Sequence, residues 1–130
     1  MSAFTIKRRM KVLSYLSYLT SQLHEKREQI VRLRNSHSTL NALQGEFLQH
    51  QSSVTAPDLT PTTWQGTLAN AFTEIREDML LSYKDLSHNQ MDTAISTIED
   101  KIASLRTEIQ SLETSIANER ARIEQEQRKE

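Results

Sequence analysis

In the stretch Pro57-Asp58-Leu59-Thr60-Pro61-Thr62-Thr63-Trp64-Gln65-Gly66, the chain holds both of its prolines, its single tryptophan and one of its two glycines. Proline lacks the amide hydrogen that a helix needs and glycine favours turns, so this stretch predicts a break between two helices. No comparable interruption occurs elsewhere in the 130 residues. The sequence therefore predicts an all-α fold, an antiparallel helical hairpin of two long helices with its turn at about 53–63.

The residues before the break predict one long helix over about 5–51. Its apolar residues recur at alternating spacings of four and three, as in a coiled coil: Val12, Leu16, Leu19, Leu23, Ile30, Leu33, Leu40 and Phe47. Lys26, His37 and Gln44 occupy the positions at which this stripe lacks an apolar residue. Gly45 alone costs only about 1 kcal/mol and is not expected to end the helix.

The residues after the break predict a second helix over about 63–126, which leaves 52–62 for the turn and makes the chain a single domain, 1–130. The second apolar stripe begins with Leu68, Phe72, Ile75, Met79 and Leu86. Between Leu86 and Met91 the stripe changes phase, which predicts a stutter or kink near 87–90.

Beyond this phase change the stripe is regular, and its members are the predicted surface for packing against a partner helix: Ile95, Ile98, Ile102, Leu105, Ile109, Leu112 and Ile116. Because the second predicted helix is longer than the first, we expect these residues to exceed the reach of the first helix. Two helices alone enclose no large core. The sequence therefore predicts that a partner chain completes a bundle.

The near-neutral net charge of the chain conceals two halves of opposite sign. Residues 1–53 hold eight Lys and Arg against three Asp and Glu, whereas residues 54–130 hold eight against fourteen. This division favours pairing of the basic helix with the acidic one. It also argues against nucleic-acid binding, because the acidic half would repel phosphate. The basic start of the chain with Tyr15 and Tyr18 leaves a membrane-surface helix as a weaker alternative, but no stable membrane insertion is predicted.

The sequence offers little for catalysis or cofactors. It has no cysteine, no glycine-rich phosphate loop and no nucleophile elbow. His24, His37 and His50 recur every thirteen residues, a spacing that does not bring them within reach of one metal ion. We expect no enzyme activity, no metal and no cofactor, and we read no cleaved signal peptide at the start of the chain.

The residues at the break resemble the WXG superfamily, the small helical hairpins that are similar to the early secreted antigenic target of mycobacteria. The pattern Trp-x-Gly-x-x-Ala-x-x-Phe matches Trp64, Gly66, Ala69 and Phe72. This resemblance implies export by a type VII secretion system, dimerisation into a four-helix bundle, and a role for these four residues in partner recognition. The residue types alone leave a second interpretation open, in which Trp64 plugs the hairpin end against residues such as Phe47.

The departures from that family pattern are informative. Members that carry their own export signal end the second helix with Tyr-x-x-x-Asp/Glu, whereas Tyr83 here is followed four residues later by Ser87. The chain is also longer than typical members. Both features look more like the auxiliary, Lap-type helical proteins that accompany LXG toxins of Gram-positive bacteria.

That closer resemblance implies a chaperone or adaptor that binds the helical N-terminal domain of an LXG toxin, together with a second small helical protein. It implies a cytoplasmic location in the producing cell followed by co-secretion, with the export signal supplied by another subunit. The alternative function is a structural coiled coil that associates with itself as a homodimer and has no link to secretion.

Overall fold

The computed structural model describes residues 3–54, 56 and 66–129, and every regular element in these ranges is helical. The elements are α1 (Ala3–Gln49), a 3₁₀ turn (Gln51–Val54), α2 (Thr67–Lys84), a π-helical turn (Asp85–Gln90) and α3 (Met91–Lys129). The described residues contain no strand. The predicted all-α hairpin of long helices is confirmed.

Helix α1 continues for 47 residues, from Ala3 to Gln49, without a break. Gly45 lies inside it, and a methyl group added at this glycine would meet no atom within 4 Å. The glycine therefore serves no close packing, and α1 continues through it because its penalty is only about 1 kcal/mol. Residues 57–65, which the sequence assigns to the turn and to the start of the second helix, lie outside the described residues.

The chain divides into two compact units, of which the first comprises residues 1–34 and 100–130. Within this unit α1 and α3 are antiparallel, since residues near the start of α1 pair with residues near the end of α3. Arg8 pairs with Glu126 at 3.0 Å, and Arg27 pairs with Glu113 at 2.8 Å. In both pairs the base belongs to α1 and the acid to α3, as the charge division predicts. Both pairs are exposed, so each contributes at most about 1 kcal/mol.

The core of this first unit is a thin apolar seam. Its buried side chains are Leu19, Ile30, Ile102, Leu105 and Ile116. Leu105 is the most enclosed apolar side chain, with 1% of its surface exposed. Burial of such side chains is worth about 1.5 to 3 kcal/mol each. A few positions therefore carry much of the stability of this unit.

The second unit comprises residues 35–99 and shows the same antiparallel pairing. Near the end of α1, the ring of Phe47 contacts the ring of Tyr83, with centroids 5.2 Å apart. The Tyr83 hydroxyl also donates a hydrogen bond to the Phe47 carbonyl oxygen. Because Phe47 lies at the end of α1, the part of α2 that precedes Tyr83 extends past that end.

This register corrects the sequence-based expectation for the regular apolar stripe. Ile95, Ile102, Leu105 and Ile116 were expected to lack a partner within the chain, but all four are buried in the single chain. Ile98, Ile109 and Leu112 are partly exposed, and their contact with a partner helix stays a prediction. The physical reason is that α1 pairs with the later part of the returning arm, by which we mean the helical run from Thr67 to Lys129. Among the described residues, the part of that arm that extends past the end of α1 is the segment of α2 before Tyr83.

The π-helical turn Asp85–Gln90 occupies the segment in which the apolar stripe changes phase. A π turn accommodates an extra residue, which rotates the stripe that follows it. Ser87 within this turn is completely buried, and its carbonyl oxygen accepts a hydrogen bond from Gln44 Nε2 at 2.8 Å. Asn89 and Gln90 donate side-chain hydrogen bonds to the Asp85 carboxylate, which lowers the pKa of Asp85.

The three polar positions in the stripe of α1 each have a partner on the returning arm. In the first unit, Lys26 Nζ lies 3.0 Å from Glu108. In the second, His37 Nε2 lies 2.8 Å from Glu99, and Gln44 binds the Ser87 carbonyl oxygen. A polar residue in an apolar seam specifies register, because a shifted alignment would leave it unpaired. We therefore assign these residues a register-setting role.

The Lys26–Glu108 pair predicts a pH dependence of stability. The hydrogen bond from Lys26, followed by its positive charge, lowers the pKa of Glu108 from its ordinary value of 4.5. A carboxyl whose pKa is lower in the folded state adds stability above its unfolded pKa, and this stability is lost as the pH falls through the folded pKa. Below about pH 4.5, we expect the unfolding free energy of the native chain to decline more steeply than that of Lys26→Met.

Urea unfolding at a series of pH values measures this difference. Lys11→Met, which removes an exposed lysine from the same helix, is the matched control and should follow the native curve. Parallel curves for the native chain and Lys26→Met would contradict the assignment.

Candidate functional site

Three of the four residues predicted to recognise a partner belong to the described part of the chain. Gly66 immediately precedes α2, and Ala69 and Phe72 lie in its first two turns. Trp64 lies outside the described residues. Gly66 is exposed, whereas Ala69 and Phe72 are each partly buried. The recognition role of all four residues therefore stays a prediction.

Gly66 adopts a backbone conformation with φ of 80° and ψ of −159°. A side chain is strongly disfavoured at such angles, so this position suits glycine alone. Its carbonyl oxygen accepts a hydrogen bond from the Asn70 amide at 3.2 Å, which begins the helical pattern of α2. The glycine thus fixes the direction in which α2 leaves the turn.

We expect Gly66→Ala to lower the free energy of unfolding by about 1 kcal/mol, because the added Cβ strains this backbone conformation. The matched control is Gly45→Ala, which should raise stability by nearly the same amount because it replaces glycine in a helix interior. Thermal unfolding followed by circular dichroism measures both changes. Equal shifts in the same direction would show that the conformation at Gly66 is not strained for alanine.

Arg76 contacts both Phe72 and Ala56, and Ala56 precedes α2. The Arg76 guanidinium lies over the Phe72 ring, 4.8 Å from its centroid, and its Nη2 donates to the Ala56 carbonyl oxygen at 3.3 Å. Such a cation–π contact is worth about 0.5 to 1 kcal/mol at an exposed site. The alternative interpretation pairs Trp64 with Phe47 and stays a prediction, because Trp64 lies outside the described residues; among these residues, the Phe47 ring contacts the Tyr83 ring.

One face of α2 and of the π-helical turn that follows it carries an exposed apolar row, which we call the α2 row. Its members are Leu68, Ile75, Met79 and Leu86, with 37% to 67% of their surfaces exposed. Their spacings of seven, four and seven residues place them along one line of the helix. Ile75, Met79 and Leu86 also line a shallow groove together with Asp78, Ser82 and Tyr83.

The α2 row and the inward side of the helix are distinct faces. Arg76 and Tyr83 lie on the inward side, where their side chains donate hydrogen bonds to the carbonyl oxygens of Ala56 and Phe47. The α2 row is rotated from these residues by about a quarter turn of the helix. Its side chains are exposed. The sequence already shows this stripe, but its exposure is visible only in the structure.

In residues 3–54 and 66–129, no three His, Cys, Asp or Glu side chains lie close enough together to hold a metal ion. Within the same ranges, no helix is long and apolar enough to cross a membrane. The groove along α2 is shallow and mostly apolar, as in helix-in-groove binding between proteins.

The fold and the α2 row define an all-α hairpin with an exposed apolar helix face. The sequence matches the YwqH-like family over residues 7–127, and the chain belongs to that family. No curated protein and no solved structure matches the chain significantly.

Proposed function

We propose that this chain is a non-enzymatic adaptor for a type VII secreted LXG toxin and that it binds the helical N-terminal domain of the toxin. The observation that carries the proposal is the YwqH-like family match, which extends over residues 7–127. YwqH itself is an LXG-toxin-associated protein of Bacillus. The resemblance of Trp64, Gly66, Ala69 and Phe72 to the WXG pattern agrees with a link to type VII secretion.

The architecture supports a binding role. A hairpin of long helices has a thin core, and here it leaves an apolar row exposed on α2. Helical partners commonly bind such rows through their own apolar faces. In this arrangement a second small helical protein completes the complex, and another subunit supplies the export signal. The chain leaves the cell together with its cargo.

Co-expression with an LXG-type protein of the same organism tests the proposal. We expect a stable complex with the N-terminal domain of that protein, measured by size-exclusion chromatography with light scattering. The matched comparison is the same LXG-type protein without its N-terminal domain, which should not bind. A chain that forms only a homodimer and ignores the toxin would favour the self-associating coiled coil instead.

A further inference from the structure

We infer that the α2 row docks one amphipathic helix of the toxin and that this helix carries lysine or arginine along one edge of its apolar stripe. The inference rests on the proposed function and deepens it by assigning the binding surface and the chemistry of the bound helix. Three features of α2 and of the π-helical turn after it support this inference: an apolar seam that contains the exposed α2 row, an acidic edge beside that seam, and a mismatch between two copies of this edge.

The seam has the spacing of a coiled coil. Adding Phe72 and Ser82 to the α2 row gives residues 68, 72, 75, 79, 82 and 86, which alternate in steps of four and three. From Leu68 to Leu86 this seam is about 27 Å long at 1.5 Å per residue. Five turns of a partner helix would cover it. Because Ser82 interrupts the apolar series, the strongest contacts are expected on either side of it.

An acidic edge borders the seam. Asp78 and Asp85 are seven residues apart and lie on the same side of the α2 row. Asp78 also lines the groove with Ile75 and Met79. The side-chain hydrogen bonds from Asn89 and Gln90 favour the ionised form of Asp85. A helix with bases at the facing positions would complement this edge, as in coiled coils that select their partners by charge.

A second copy of this chain is a poor occupant of the seam. If two copies of α2 paired antiparallel, their acidic edges would face each other, and like charges would repel. If they paired in parallel, Asp78 would face Tyr83 of the second copy, which is not a base. The charge pattern of α2 therefore favours a different chain.

Calorimetric titration of the full chain with the N-terminal domain of the LXG-type protein that binds it in co-expression tests this inference. Met79→Asp places a charge in the seam and is expected to weaken binding at least tenfold, a typical effect at the centre of an interface. Leu81→Asp is the matched control, because Leu81 is an exposed apolar residue on the opposite side of α2. It should leave the affinity within about twofold of the native value.

A charge variant tests the acidic edge without disturbing the apolar seam. Asp78→Lys is expected to weaken binding several-fold and to reduce its dependence on salt, because exposed charge pairs are screened. Glu77→Lys makes the same charge change on the other side of the helix and is the control. Equal effects of the two variants would overturn the role of the acidic edge.

The outcomes separate this inference from the proposed function. If the complex forms and Met79→Asp binds as well as Leu81→Asp, the inference is overturned and the adaptor function stands. If neither the native chain nor any variant binds the toxin domain, the inference and the proposed function are both overturned. If Met79→Asp instead converts a dimer into a monomer, a second copy covers the α2 row. If Met79→Asp lowers the melting temperature and Leu81→Asp does not, the chain itself covers the row. Either result also overturns the inference.

Discussion

Leu105→Ala is expected to lower the free energy of unfolding by about 3 kcal/mol, a mid-range value for truncation of a buried leucine. Leu105 is only 1% exposed in the seam of the first unit. Removal of its side chain takes away apolar burial and also leaves a space that two long helices fill poorly by small shifts. Urea unfolding followed by far-UV circular dichroism measures the change.

Leu13→Ala is the matched control, because Leu13 belongs to the same unit but is largely exposed. It makes the same chemical change and should alter stability by less than about 0.5 kcal/mol. Similar losses for the two variants would mean that Leu105 is not enclosed in the free chain. That result would favour the sequence-based interpretation, in which the regular stripe is a surface that packs against a partner chain.

Gln44→Met is expected to lower the free energy of unfolding by about 2 kcal/mol. Methionine has nearly the same length as glutamine but donates no hydrogen bond, so the Ser87 carbonyl oxygen would lose the bond from Gln44 Nε2. Ser87 is completely buried. A buried carbonyl left without a partner typically costs about 1 to 3 kcal/mol.

The matched control for this variant is Gln110→Met, which makes the same replacement at an exposed position of α3. Its effect should stay within about 0.5 kcal/mol. Hydrogen exchange at the amides of the π-helical turn gives a second readout and should speed up in Gln44→Met alone. Unchanged stability and exchange would show that Gln44 does not hold this turn in place.

The helices of this fold are predictable because their signals are local. The two prolines and Gly66 mark the break, and the apolar residues recur with the period of a helix on either side of it. The phase change before Met91 is visible for the same reason, and the π-helical turn lies within it. The opposite charges of the two halves also predict that bases of α1 face acids of α3.

The register between the arms is not predictable from those signals. A stripe that repeats every seven residues still matches its partner after a shift of seven, so periodicity alone permits several alignments. Pairs such as Lys26–Glu108 and Gln44–Ser87 select one of them, and their members come from distant parts of the chain. The sequence therefore predicts the helices but does not predict that Ile95, Ile102, Leu105 and Ile116 are buried within the single chain.

The candidate site shows the same limit. The sequence identifies Leu68, Ile75, Met79 and Leu86 as one stripe, yet it cannot tell whether that stripe is covered. The contact of Phe47 with Tyr83 shows that Leu68, Ile75 and Met79, which precede Tyr83, lie past the end of α1, whereas Leu86 follows Tyr83. The WXG-like residues are recognisable by their spacing. Spacing does not reveal that Arg76 contacts both the Phe72 ring and the Ala56 carbonyl oxygen.

The antiparallel pairs have a consequence for the order in which the chain assembles. Their sequence separations increase from 36 residues for Phe47–Tyr83 to 62 for His37–Glu99, 86 for Arg27–Glu113 and 118 for Arg8–Glu126. The entropy lost on closing a loop grows with its length, so the innermost contact is the least unfavourable to form first. Once it has formed, each outer pair closes only a short additional segment. A topology with long-range contacts can thus assemble as a zipper, by a series of nearly local steps.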